Sequence, residues 1–386
     1  MAKGSIYRQE FKEYRDEITG RRVIRVGGGD SICHHPYFYN KMVTNDGRRL
    51  VTASDRGGKR DFWLVDLVTG ESVQLTDSTE RFDDFSAVLS RDDACLWYSG
   101  ANGIYRLDMS TLKEEVAYSS ESSWRFGSFG IDPEDRVALV SEMAEADVVK
   151  SRGDWSTFEP QWEAKPRCRL VYLDLGTLEP RVVLEEAHCW LGHPQPRPGK
   201  LSELLFCHEG PQWKIDARLW LVDSDGSRLR CAKPRTAEDK IITHEFWAAD
   251  GSAIFFVHKD YEDRSTIRSI DPETLEETII ADFTYSAHVF ASPDGRYFVA
   301  DGQSATPVLP ETGKDSIETM ANNIPNLYLI DAKTKREEIL CRHGSSFKPY
   351  GNPQDCHPHP SFTPDSKSVI FSSDREGAPA VYRVEL

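Results

Sequence analysis

The 386-residue chain has no apolar run near the length of a membrane span, so no transmembrane helix is expected. Its start, "MAKGSIYRQEFKEYRDE", lacks an apolar core, so no secretory signal is predicted. The eight cysteines are scattered, without CxxC pairs or regular spacing. That argues against a disulfide framework and for free thiols in a reducing cytoplasm, most simply a bacterial one. Basic residues are in deficit: 47 Lys and Arg face 63 Asp and Glu, a formal net charge of −16. Such a field disfavours general nucleic-acid binding and anionic membrane surfaces. An anionic ligand would need a local basic or metal site. There is no Gly-x-Ser-x-Gly elbow and no room for an attached hydrolase domain. Helical periodicity is also hard to find.

A repeat is present instead. "TNDGRRLVTASDRGGKRDFWLVDLVTGESVQLT", from Thr44, reads as strand, Asp-Gly turn, strand, loop, strand, Thr-Gly turn, strand. Copies begin again at Ser90, Asp132, Arg197, Ala248, Ser292 and Thr363, seven in all. Each shows short runs rich in β-branched and aromatic residues, bounded by Asp, Gly, Pro and Ser. This predicts an all-β fold, a seven-bladed β-propeller formed as a single domain over residues 1–386. The last copy stops after its third strand, "AVYRVEL". An orphan segment near the start, "DEITGRRVIRV" (16–26), resembles a Thr-Gly turn and fourth strand. It is expected to complete the last blade and close the ring, removing open sheet edges. Insertions at 145–166 and 303–324 are expected to be loops over one face. "VGGGD" (26–30) is read as the passage from the closing strand into the first blade. "SDRGG" (54–58) and "SDREG" (373–377), at the same blade position, are read as structural turns.

Aligning the copies on their first turn places the histidines. His244, His288 and His359 each lie six residues before the turn aspartate of their copy, at the start of the first strand. First strands line the central channel of a propeller, so these side chains are expected to converge at one mouth. Asn40, Ser86 or Ala87, and Ser128 occupy this position in other copies, and His193 lies close to it. His357 precedes His359 by two, so both would point the same way in an extended segment, which Pro358 and Pro360 favour. A bend through "NPQD" would return the Gln354 carbonyl oxygen towards them. His288, His357 and His359 thus form a candidate three-imidazole metal site with Gln354 adding an oxygen. Imidazole suits Zn, Fe, Ni, Cu or Mn, and an oxygen ligand with open positions tilts the choice towards Mn or Fe. The competing reading is a ring of solvated polar residues. Cys356 alternates away from both histidines and is read as a packed thiol.

The motifs "SAHVF", "NPQDCHPHPSF", "HEGPQWKIDARLW" and "ITHEFW" together resemble those of the oligogalacturonate lyases, along essentially the full length. The resemblance implies a manganese-dependent β-elimination of short oligogalacturonides, chiefly digalacturonate, giving 4,5-unsaturated uronate and 5-keto-4-deoxyuronate monomers in pectin catabolism. It implies that His288, Gln354, His357 and His359 hold the metal. It further implies that His244 is the general base and that Arg218 stabilises the reacting charge. His208 and Lys214, in the same hairpin as Arg218, are candidate contacts for substrate carboxylates; Trp213 is read as stacking on a sugar or packing.

The chemistry is consistent with those residue types. Eliminating across C4–C5 of a uronate requires loss of a weakly acidic C5 proton, and a cation at the carboxylate lowers the cost of the resulting dianion. Neutral ligands leave the metal its full charge, useful in a protein of net charge −16. Histidine has a neutral fraction near pH 7 and is a suitable base. The alternative from another class is a non-enzymatic propeller that binds a protein partner, in which the histidine ring would be incidental. A lactonase-like site would call for hard oxygen ligands around calcium, which three histidines argue against.

Overall fold

The structure, a computed structural model, describes residues 2–77, 83–100, 102–150, 155–284, 288–302 and 325–386. Among the described residues seven sheets form the blades of a seven-bladed β-propeller, five of them with four strands in chain order and the first and last with five. The first contains Cys33–His34, Arg49–Ser54, Asp61–Asp66 and Glu71–Gln74; the fifth contains Asp239–Trp247, Ile254–Asp260, Ser265–Ile270 and Glu277–Asp282. The chain divides into two compact units: one holds the first, sixth and seventh sheets, the other the second to fourth and most of the fifth.

Sequence pattern explains which strand goes where. Second strands are apolar on both faces, as in Val137–Ala144 and Ser368–Ser373, where every residue is buried. Fourth strands such as Glu114–Ser119 are largely exposed. Within the first unit, Val299, Leu327 and Leu340 of the sixth sheet pack against Phe362, Val369 and Phe371 of the seventh. Within the second, Leu205, Leu219 and Leu221 pack against Ile242, Trp247 and Phe256.

The turn between third and fourth strands has a repeated cause. Asp66, Asp108, Asp174, Asp271 and Asp331 each accept two backbone N–H bonds, from residues two and three further on. The residue four after each aspartate takes a left-handed conformation: Gly70, Leu112, Leu178, Leu275 and Lys335. Asp16 makes the same turn with Ile18 and Thr19, and Gly20 follows it. The orphan N-terminal segment is therefore a blade turn in full.

That segment closes the last blade as anticipated. Arg22–Gly27 pairs antiparallel with Ala380–Glu385, matching Val23 to Val384 and Arg25 to Tyr382. Lys12–Arg15 then adds a fifth strand outside it. A second fifth strand, Ile6–Arg8, pairs with Glu71–Gln74 of the first blade. The sequence reading had assigned neither extra strand, because both precede the first turn of the repeat. Gly28 has φ +83°, and a Cβ there would come within 2.9 Å of Ala380, so only glycine fits where the closing strand leaves the sheet. The turns at 54–58 and 373–377 are structural: the Asp55 carboxylate accepts the Ile32 N–H at 2.9 Å, and that of Asp374 accepts the Ser346 N–H at 2.7 Å. The insertion at 145–166 is not all loop. It contains the short helix Phe158–Glu163. The insertion at 303–324 lies outside the described residues.

Replacing Val23, fully buried in the closing strand, by Asp places an unpaired charge in the last blade. We expect a loss of roughly 3 kcal/mol or more and a lower denaturant midpoint. Ile6→Asp, at a 64% exposed position of the outer strand, should change the midpoint little. Equal effects would reject the closing role of Arg22–Gly27.

Candidate functional site

In the first unit the chain brings His288, His357 and His359 together. One ligating atom of each lies within 4.8 Å of the others, and all three residues are buried. His288 stands just before the first strand of the sixth blade, Val289–Ala291. Its ring Nδ1 lies 2.5 Å from Asp301 Oδ2, and its backbone N–H donates to Asp301 Oδ1 at 2.8 Å. Asp301 is fully buried at the end of the adjoining strand. The carboxylate fixes the ring and turns Nε2 towards His359, whose Nε2 is 3.1 Å away. Two nitrogens on one divalent ion, each about 2.1 Å from it and at right angles, would lie about 3.0 Å apart. The observed spacing fits a shared cation. His357 Nδ1 is buried with no hydrogen-bond partner among the described residues, which leaves its lone pair available to a cation. Burial, reinforced by His288, pushes the His357 pKa down to about 3, so its ring is neutral and can ligate.

The two histidines of "HPHP" meet by a route other than strand alternation. Residues 353–356 form a turn in which the His357 N–H donates to the Gln354 carbonyl at 3.0 Å. His359 then takes φ +45°. Gln354 is half-buried on that turn. Asp355, fully buried, anchors the turn by accepting the Tyr350 and Asn352 N–H groups and Arg60 Nη1 at 2.9–3.1 Å. Cys356 is packed as expected: its thiol donates to the Lys348 carbonyl, and burial pushes its pKa up to about 12.

Aromatic rings enclose the trio. Phe38 lies 5.6 and 5.9 Å from the His288 and His359 rings, Tyr37 lies 5.0 Å from His359, and Phe347 lies 5.1 Å from His357. His35 Nε2 lies 3.1 Å from the Pro358 carbonyl, between the two ligands' residues. The sequence reading missed Asp301, His35 and Phe38. The run "HHPYFYN", ending at Asn40, was the available signal, since Asn40 occupies the ring position of the first copy.

Arg218 belongs to the second unit. It is 6% exposed and immediately precedes the strand Leu219–Asp223. Its Nε and Nη2 donate to the two Glu245 oxygens at 2.8 and 3.2 Å, and its Nη1 donates to Glu209 at 3.2 Å. Burial opposes ionisation of both glutamates, yet Arg218 and His193 hold their pKa values below the usual range. His244, next to Glu245, has φ +54° at a register shift between Thr243 and Phe246. His193 has φ +46° at the matching shift between Gly192 and Gln195. The matching position of the third blade is Gly127, by the shift between Phe126 and Phe129, and not Ser128. Lys214 is held by Glu159 and Glu163 of the inserted helix, with Glu163 at 2.8 Å. His208 stacks on Trp220 at 4.6 Å. Trp213 is 39% exposed. Among the described residues, no helix is long and apolar enough to cross a membrane.

A family profile described as oligogalacturonate lyase matches residues 1–386. The chain is 37% identical to an oligogalacturonide lyase of Pectobacterium atrosepticum over 99% of this chain and 97% of that one. It is equally identical, over the same shares, to an oligogalacturonate lyase of Dickeya dadantii. A solved oligogalacturonate lyase in complex with manganese superposes with a TM-score of 0.92 at 36% identity, covering 100% of this chain and 98% of that one.

Burial lowers the His208 pKa from 6.5 to about 4. The unfolded chain takes up this proton as pH falls through 6.5, the folded chain only near 4. The contribution of neutral His208 to stability is therefore complete above pH 6.5 and is lost as pH falls towards 4. His208→Phe keeps the stack on Trp220 and should flatten the acid side of the stability–pH curve by about 1–2 kcal/mol. Denaturant midpoints at several pH values measure this; parallel curves for the two proteins would reject it.

Proposed function

The chain belongs to the oligogalacturonate lyase family, and we propose that it cleaves short oligogalacturonides, chiefly digalacturonate, by β-elimination with manganese as cofactor. The observation that carries the metal assignment is the buried His288–His357–His359 trio with Asp301 fixing one ring. These histidines, with Gln354, would hold the ion. Bound manganese supplies a fixed positive charge that stabilises the uronate carboxylate as charge develops on it. His244 removes the C5 proton. The C5–H electron pair forms the C4=C5 bond as the C4–O bond breaks, and the leaving sugar oxygen is protonated from solvent. Arg218, held rigid by Glu245 and Glu209, offers a preorganised cation to the developing charge. His208 and Lys214 are weaker candidates for substrate contact, since their side chains are engaged with Trp220 and with two glutamates. Residues 1–386 are taken as one propeller domain, a reading supported by a family profile that spans the same range. Eight free cysteines support a reducing, cytoplasmic compartment.

Two experiments test this. Metal-stripped protein given digalacturonate should show no ultraviolet absorbance from the conjugated C4=C5 bond until Mn²⁺ is added, and His244→Ala should abolish the signal. Silence from folded, metal-loaded wild type would put the protein-binding propeller in front. A signal surviving His244→Ala would keep the reaction and reject the base. Separately, Asp301→Asn should weaken Mn²⁺ binding by about 10–100-fold in calorimetric titration; unchanged affinity would remove Asp301 from the metal's support.

A further inference from the structure

His193 is one of the residues that the lyase reading leaves without a role. Strand register makes it the counterpart of His244 one blade earlier: Gly192 pairs with Cys207 as Thr243 pairs with Val257, and both histidines then sit in the bulge with positive φ. A bulge of this kind re-aims a side chain away from ordinary strand alternation. His193 therefore holds in the fourth blade the place that the proposed base holds in the fifth.

Charged and polar side chains stand beside it. Nε2 lies 3.0 Å from Glu209 Oε1, and Glu209 also accepts Arg218. Arg218 in turn holds Glu245, and the Cys207 thiol donates to Glu209 at 3.3 Å. The His193 side chain is 27% exposed, against 11% for Glu209, 6% for Arg218 and none for Glu245. Of the four ionisable partners, His193 faces water most. With His193 neutral, the two carboxylates outnumber Arg218 and the group is anionic. With His193 protonated, the group is balanced. Burial alone would lower the His193 pKa, but Glu209, with Glu245 behind it, raises it above the usual histidine value despite opposition from Arg218.

His193, Cys207 and Glu245 also lie within metal-binding distance of one another. A cation there would face the Arg218 guanidinium, which already occupies both Glu245 oxygens. Burial also pushes the Cys207 thiol well above its ordinary pKa, away from the thiolate a metal needs. What remains for a ligand is the His193 ring at the water-facing edge, which when protonated can meet an anion.

We propose that His193, positioned by Glu209 beside Arg218, binds a uronate carboxylate of the substrate. This rests on the lyase reading and adds a specificity residue to it. A substrate carboxylate completes the group by meeting the exposed imidazolium, while Arg218 stays oriented by Glu245. Charge-assisted bonds of this type favour carboxylate over ester, so methylated uronates would bind less well at this position.

Steady-state kinetics on the manganese-loaded protein test the proposal. His193→Gln keeps a hydrogen bond to Glu209 and loses the charge. It should raise KM for digalacturonate about tenfold with kcat little changed, and Mn²⁺ affinity should be unaltered. In wild type, kcat/KM should fall on the alkaline side as His193 loses the proton held by Glu209 and Glu245 against Arg218; that limb should vanish in His193→Gln. His193→Lys should restore part of the affinity. Should the variants fold poorly, wild type serves: digalacturonate should protect His193 from diethyl pyrocarbonate, read by peptide mass spectrometry. Wild type that forms unsaturated product, with KM and the alkaline limb unmoved in His193→Gln or with His193 unprotected, overturns this inference alone. Wild type that forms no product overturns the lyase reading, and this inference with it.

Discussion

Pairing of Arg22–Gly27 with Ala380–Glu385 is the constraint on which the first unit depends. It joins the two ends of the chain in one sheet, so the last blade is incomplete without the N-terminal segment. The consequence reaches the metal centre through covalent geometry. Gly28 turns the chain out of the closing strand, and the Cys33 N–H donates to the Pro379 carbonyl at 2.9 Å. The next residues carry His35 to the Pro358 carbonyl and Tyr37 and Phe38 to the histidine rings. The loop bearing His357 and His359 is thus packed against the first blade's entry segment. A propeller left open at this seam would lose the aromatic wall of the proposed metal centre as well as a strand.

A second constraint acts at the start of the first strands. Regular alternation would send neighbouring side chains to opposite faces. The bulges at His193 and His244, and the left-handed backbone at His359, break that rule at the histidines proposed as base, carboxylate contact and ligand. Left-handed conformations cost more for a residue with a Cβ than for glycine. Histidines hold them here because strand pairing on either side fixes the backbone, as the register of the fifth blade shows around Thr243 and Phe246.

These two constraints explain what was legible in the sequence. The blades were readable because each turn has its own chemistry: an aspartate that caps two backbone N–H groups and a residue that accepts positive φ. His244, His288 and His359 were readable because a repeat places equivalent residues at equivalent positions. Their supports were not. Asp301 reaches His288 through the pairing of first and second strands, thirteen residues away, and nothing local marks it. Glu245 was hidden by adjacency: beside His244 in sequence, it serves Arg218 instead. The resemblance marks Arg218 as a cation for the reacting charge, but its burial between two glutamates, which makes it part of a fixed network, has no local signal in the sequence.

The electrostatics of the two units differ in kind. The histidine trio offers imidazole nitrogens in place of carboxylates, so a divalent ion bound there would keep its charge, with Asp301 as the buried carboxylate that orients the His288 ring. The Arg218 cluster works the other way, surrounding one permanent cation with two carboxylates. Those carboxylates make a well-oriented arginine, since an unpaired buried guanidinium would be costly and mobile. They also cancel its charge. In a chain of net charge −16, an arginine so neutralised attracts an anion poorly from a distance. Binding by this cluster must then come from short-range hydrogen bonds to a carboxylate already delivered to it. It also depends on whichever partner can add positive charge without disturbing the Arg218–Glu245 fork. Among the four groups only His193 combines exposure with a proton that can be gained or lost, so that one ring decides whether the cluster is anionic or balanced.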